Sequence, residues 1–196
     1  MIEIRDITVR FENKTPLENF SLSIARGEKY ILEGVSGKGK STLLKSILGF
    51  VELSQGEIIC DGIKLSKENL VEYRSKIAYL PQSLNLDFET LEDLIYYPFS
   101  FEINKPLRPS VEQIEEIFSS LKLNISLLKQ NLNEISGGEK QRAIFASIML
   151  LKRPIVLLDE PASSLDSVSA MAVWDYIYSQ KDTTFICVTH NDIYNK

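Results

Sequence analysis

The chain has 196 residues, 44% hydrophobic and 25% charged, with a net charge of −5. That fits a globular fold with one core and room for an inserted subdomain. It excludes a membrane span, because the longest apolar stretch, Phe145 to Leu151, is broken by Ser147 and falls far short of the ~20 residues a span needs; the acidic balance with no basic tract argues against nucleic acid as a partner.

The N-terminus lacks the basic start and apolar centre of a secretion signal, which places the chain in the cytosol. Cys60 and Cys187 each lie in an apolar, strand-like run with no paired spacing, so they read as reduced core residues. Residues 2 to 9 and 20 to 25 alternate apolar and polar side chains, predicting two half-exposed antiparallel strands. Phe11 sits between them, where an aromatic ring either stacks on a nucleotide base or packs.

Lys29-Tyr-Ile-Leu-Glu33 reads as a short buried strand. It runs into Gly34-Val-Ser-Gly-Lys-Gly-Lys-Ser-Thr42, which fits G-x-x-x-x-G-K-[ST] at Gly34, Gly39, Lys40 and Ser41. Leu43, Leu44, Ile47 and Leu48 then repeat at helical spacing until Gly49 stops the helix. Strand, loop and helix are the context in which such a loop holds a nucleoside triphosphate. Its glycines let backbone N–H groups close on the phosphates, the helix start adds partial positive charge, Lys40 reaches the β and γ phosphates, and Ser41 offers a hydroxyl to Mg²⁺. Gly34, Ser36, Gly37, Lys38, Gly39, Lys40, Ser41 and Thr42 are the expected nucleotide contacts.

Gly56 to Gly62 reads as a strand closing in an Asp-Gly turn, and Lys76 to Leu80 as a buried strand running into Pro81 and Gln82. From about Ser83 to Glu134 the character changes to asparagines, prolines and helical spacing at Val111, Ile114, Ile117, Phe118 and Leu121, which predicts a helical insertion. Tyr96, Tyr97, Phe99 and Phe101 there form either a groove for a partner helix or internal packing. Ser136-Gly-Gly-Glu139 opens a periodic helix ended by Pro154. Ser136 with Glu139 makes a capping box, while the two glycines bare backbone N–H groups that suit an anion.

Ile155 to Leu158 is apolar throughout, as in a parallel strand covered on both faces, and ends in Asp159-Glu160-Pro161. After Ser164-Leu-Asp166 come a helix from about Val168 to Ser179 and a strand, Thr184 to Val188, which runs into Thr189 and His190. Polar groups thus follow four strands of an open α/β sheet at the end where ligands bind. Phosphoryl transfer needs neutralised charge, a held metal and an oriented nucleophile. Ser41 and Asp159 are expected to hold Mg²⁺, Gln82 to contact the metal or the attacking water, and Glu160 to act as general base. His190 either hydrogen-bonds the γ-phosphate or serves the structure.

The loop at Gly34 to Thr42, Gln82, Ile135-Ser-Gly-Gly-Glu-Lys-Gln-Arg142, Val156-Leu-Leu-Asp-Glu-Pro161, Ser164-Leu-Asp166 and His190 occur in the order seen in the ATP-binding cassette ATPases, and over nearly its whole length the chain resembles that family. The resemblance implies an α/β P-loop cassette with a mixed sheet, an antiparallel β edge and an inserted α-helical subdomain: residues 1–82 and 136–196 as nucleotide-binding core, 83–135 as helical insertion. It implies a head-to-tail homodimer, or a heterodimer with a related cassette, holding two ATP molecules. Ser136 and Gly138, with Gly137 and Glu139 beside them, would meet the γ-phosphate in trans, Asp166 would link the two sites, and Phe11 would stack on adenine. The stretch 83–101 would contact a separate membrane-spanning permease subunit, and ATP would close the dimer to drive transport. A soluble cassette ATPase of DNA maintenance or translation is the alternative. Lys38 departs from the small residue usual in the loop, and the sequence stops sooner after His190 than relatives do.

Overall fold

The computed structural model describes residues 1–34, 37–82 and 87–190. β1 (Ile2–Phe11) and β2 (Lys14–Ile24) form an antiparallel hairpin with register shifts between Ile4 and Ile7, Ile7 and Val9, and Val9 and Phe11. β2 therefore begins well before the alternation at residue 20 predicts: shifts beside Asp6 (φ 48°) and Asn19 (φ 46°) break the two-residue period that marks a strand. Then come β3 (Lys29–Glu33), α1 (Lys40–Ile47), β4 (Gln55–Cys60) and β5 (Ile63–Lys64). Asp61 and Gly62 join β4 to β5 with φ of 49° and 81°, the positive pair a tight hairpin turn demands. The chain continues through α2 (Leu70–Arg74), β6 (Ile77–Leu80), α3 (Leu91–Tyr96) and α4 (Val111–Ser120). It ends, among the described residues, with α5 (Gly137–Met149), β7 (Ile155–Asp159), α6 (Ser167–Ser179) and β8 (Thr184–Thr189).

These elements divide into two compact units. The first holds residues 1–78, 153–159 and 181 onward. Its antiparallel sheet has the order β2-β1-β4-β5, with Ile2, Ile4, Ile7, Ile24, Ile58 and Cys60 buried. Its other sheet runs β3-β8-β7 and on to β6, which starts in this unit at Ile77. β3 lies parallel to β8 from Lys29 opposite Phe185 to Glu33 opposite Thr189, and β7 lies parallel to β8 up to Asp159 opposite Val188. Parallel strands in step end together, so the chain just after Glu33, at Asp159 and just after Thr189 emerges on one edge. Val156, Leu157, Leu158, Phe185, Ile186 and Cys187 are all buried, as expected for strands covered on both faces.

The second unit holds residues 79–152 and 160–180, with α5 packed against α3, α4 and α6. Its helices start at side-chain caps legible in sequence: Thr90 with Asp93 on α3, Ser110 with Gln113 on α4, Ser136 with Glu139 on α5, and Asp166 on α6. Arg142 is buried on α5 and donates to three carbonyls, Nη1 to Leu121 at 2.9 Å and Lys122 at 3.1 Å, and Nε to Gly138 at 3.2 Å. It fastens the end of α4 to the first turn of α5.

Candidate nucleotide site

In the first unit the loop after β3 turns on glycines. Gly37 and Gly39 have φ of 81° and 88°, and a Cβ on Gly39 would stand 2.6 Å from the Pro16 carbonyl oxygen, so no other residue fits there. Gly39 caps α1 without a side-chain hydrogen bond, unlike the caps of α3 to α6. That start of α1, with its partial positive charge and backbone amides, suits a phosphate. Lys40 is the first residue of α1, nearly buried, and its Nζ donates to the Gly34 carbonyl. Ser41 is exposed one residue on, and Thr42 follows, its carbonyl accepting from Ser46 Oγ at 2.8 Å. Lys38 is exposed on the loop. Ser36 lies outside the described residues.

His190 Nδ1 stands 3.0 Å from the same Gly34 carbonyl oxygen. A carbonyl only accepts, so Nδ1 carries the hydrogen. Lys40 and His190, distant from each other in sequence, therefore meet at the one Gly34 oxygen. Asp159 closes β7 with only 5% of its surface exposed. Its carboxylate and the Ser41 hydroxyl are the hard oxygen donors Mg²⁺ takes, and no group of three or more His, Cys, Asp or Glu among the described residues forms a cage for a metal. A magnesium ion bound by few protein oxygens and completed by phosphates and water matches that donor set. Phe11 ends β1 opposite Lys14 with half its surface exposed.

In the second unit Ser136 forms the full capping box. Its Oγ accepts from Glu139 N at 3.3 Å and donates to Glu139 Oε2 at 2.5 Å, and its own N–H reaches that oxygen at 3.1 Å. The Ser136 hydroxyl bond holds the Glu139 carboxyl below its ordinary value against a smaller desolvation effect. A Cβ on Gly137 would meet nothing, and one on Gly138 would touch Leu165 at an ordinary 3.6 Å. Packing does not demand glycine at either position. Glycine there leaves the first-turn backbone uncovered.

Glu160 has a φ of 57°, a left-handed conformation that costs a glutamate about 1–2 kcal/mol. Its carbonyl accepts from Ser163 N at 3.4 Å and Ser163 Oγ at 3.2 Å. Strain of this kind sits where a turn has to aim a side chain. Asp166 caps α6, its Oδ1 accepting from Val168 N and Ser169 N at 3.0 Å each, and the hydrogen bond with the Ser169 side chain, followed by the one from the Ser169 backbone, lowers its pKa. Gln82 is exposed in a bend just before residues 83–86, which are not described. Gln141 and Arg142 are the residues whose contacts sequence reasoning passes over. The signal for Arg142 was a cation on the face of α5 that also carries Phe145, Ala146 and Met149.

The family model described as ABC transporter matches residues 17–163. A probable ABC transporter ATP-binding protein, PEB1C of Campylobacter jejuni, is 33% identical over 199 residues, covering 97% of this chain and 80% of that protein. The energy-coupling factor transporter ATP-binding protein EcfA of Aster yellows witches'-broom phytoplasma is 30% identical over 194 residues, covering 97% and 70%. Among solved structures, the post-hydrolysis dimer of the ATP-binding cassette MJ0796 bound to ADP and Pi superposes with a TM-score of 0.80 at 26% identity, covering 97% of this chain and 88% of that one.

Proposed function

The chain belongs to the ABC transporter family, and from that premise we propose how its residues divide the work of an ATP-binding subunit. Such a subunit is an ATPase: it binds ATP and hydrolyses it to ADP and phosphate to power transport. The relatives are transporter subunits, which favours this role over a soluble cassette of DNA maintenance or translation.

The observation that carries the proposal is the convergence of Lys40 and His190 on Gly34 at the mouth of a glycine-built loop. The loop amides and Lys40 hold the phosphates, with Lys38 adding positive charge and Phe11 stacking on the base. Ser41, Asp159 and Gln82 would hold a Mg²⁺ ion, which would supply neutralisation of the charge that develops on the phosphates. Glu160 takes a proton from the attacking water, and His190 steadies the γ-phosphate. Ser136 and Gly138 of a second copy complete the pocket, so ATP joins two cassettes head to tail, with Asp166 between the sites. MJ0796, dimeric with ADP and Pi, supports a dimer of cassettes by its likeness.

A membrane-spanning partner fits an apolar groove of the second unit, about 200 Å³ in volume, lined by Tyr79, Leu94, Tyr97, Phe101 and Ile148. Tyr97 and Phe101 are about half exposed, stacked edge to face at 5.4 Å, with Phe88 5.0 Å from Tyr97. Rings so displayed suit an amphipathic helix of a permease. Among the described residues no helix is long and apolar enough to cross a membrane, and the chain works on the cytoplasmic face through that partner.

Phosphate release by the purified chain, followed as Mg²⁺ is titrated into ATP, tests the reading. Release that depends on the metal supports it; none at any Mg²⁺ concentration contradicts it.

A further inference from the structure

We propose that Gln141 is a positioning residue for hydrolysis, its side-chain amide pinning the turn that presents Glu160. Gln141 lies on α5, and its Nε2 donates to the Pro161 carbonyl at 3.2 Å. Because that carbonyl only accepts, the orientation of the amide is fixed, nitrogen toward Pro161. Its other end, Oε1, is buried with no hydrogen-bond partner. An unmet buried acceptor is unfavourable, and an apolar side chain of the same length would avoid it. α5 nevertheless carries an amide here, and the one bond the amide makes goes to the residue after Glu160.

That bond matters because of the backbone it holds. Glu160 sits at φ 57°, from which a glutamate relaxes readily to the right-handed region, swinging its carboxylate away. Its own carbonyl is anchored by Ser163. Residue 161 is proline and has no N–H, so its carbonyl is the one backbone polar group it offers for anchoring. Ser163 holds the carbonyl of the strained residue and Gln141 holds the carbonyl of the residue that follows it. α5 also begins with the Ser136 capping box, so one helix carries the turn that meets a mate's ATP and, through Gln141, the turn that aims this chain's Glu160.

The inference rests on Glu160 acting as the base, and its test separates the two. Gln141→Met keeps length and removes both the donor and the orphaned oxygen. ATPase activity of the full chain is measured for the parent, Gln141→Met, Glu160→Gln and the double variant, with ATP binding and melting temperature alongside. Expected for Gln141→Met are a kcat lower by about tenfold or more, as for a misplaced catalytic group, a KM for ATP within about twofold, and a melting temperature no lower than the parent's. Added to Glu160→Gln, it should lower kcat no further, since residues acting through one another are not additive. A parent rate in Gln141→Met, while Glu160→Gln is slow, overturns the role of Gln141 alone. A Gln141→Met chain that melts lower or loses ATP binding marks a structural residue and overturns it too. Undiminished turnover in Glu160→Gln overturns both assignments.

Discussion

His190 and Gly34 are joined by one hydrogen bond, Nδ1 to carbonyl oxygen at 3.0 Å, which ties the end of β8 to the start of the phosphate loop after β3. The bond exists because β3 and β8 run parallel and in step, with Glu33 opposite Thr189. With Nδ1 donating to that carbonyl, Nε2 is the nitrogen on the other side of the ring, and it must also carry a hydrogen to bond a phosphate oxygen. His190→Ala should therefore keep ATP binding, which Lys40 and the loop amides supply, and lose turnover by about 10²-fold. Measured ATP affinity and kcat check this; a loss of affinity with kcat intact would make His190 a brace for the loop.

Glu160→Gln keeps size and hydrogen bonding while removing the basic carboxylate. It should bind ATP with Mg²⁺, form an ATP-dependent dimer visible by gel filtration, and hydrolyse at least about 10²-fold more slowly. Turnover at the parent rate would remove Glu160 as base.

Tyr73 is fully buried, its hydroxyl donating to the Ile47 carbonyl at 2.7 Å and standing 3.0 Å from Cys60 Sγ. With Arg74 Nε donating to Leu48 O at 2.8 Å, it caps the far end of the helix that starts at Lys40. Tyr73→Phe strands a buried carbonyl and should cost about 1–3 kcal/mol of stability, read as an earlier chemical-denaturation midpoint. An unchanged midpoint would mean that another donor satisfies Ile47.

The carboxyls of Glu139 and Asp166 are both held below their ordinary values, the first by the Ser136 hydroxyl and the second by the hydrogen bond from Ser169. Native values below the unfolded ones mean that the stabilisation is full above the unfolded pKa of about 4 and is lost as pH falls through the lower native values. The melting temperature should drop on acidification in that window. Asp166→Asn, which still caps α6 but does not titrate, should flatten the drop; an unaltered acid profile would contradict this.

Much of this fold is written locally. The strand and helix that flank the glycine loop, the apolar strand before Asp159 and Glu160, and the cap at Ser136 each rest on residues within a few positions of one another, and each stands as its pattern implies. The length of β2 was not legible, because bulges at Asp6 and Asn19 erase the alternation. α2 and α3 are too short to show a helical period, although Thr90 and Asp93 carry the same capping signal as Ser136 and Glu139. The bonds from Gln141 to Pro161 and from Arg142 to Leu121 span some twenty residues and depend on helix packing, so no local pattern announces them.

In the proposed dimer two chains complete each other's pockets around ATP. Both native cysteines are buried, with burial pushing the Cys60 thiol up to about 11 and Cys187 upward as well, so neither reacts readily in the folded chain. Lys38→Cys and Ser136→Cys, placed in separate copies of the Glu160→Gln chain, can then be mixed and treated with a short thiol crosslinker. The prediction is a covalent dimer that forms with Mg²⁺ and ATP and not without nucleotide. ATP bound to the mixture with no crosslinked dimer, or a dimer formed equally well without ATP, would contradict it.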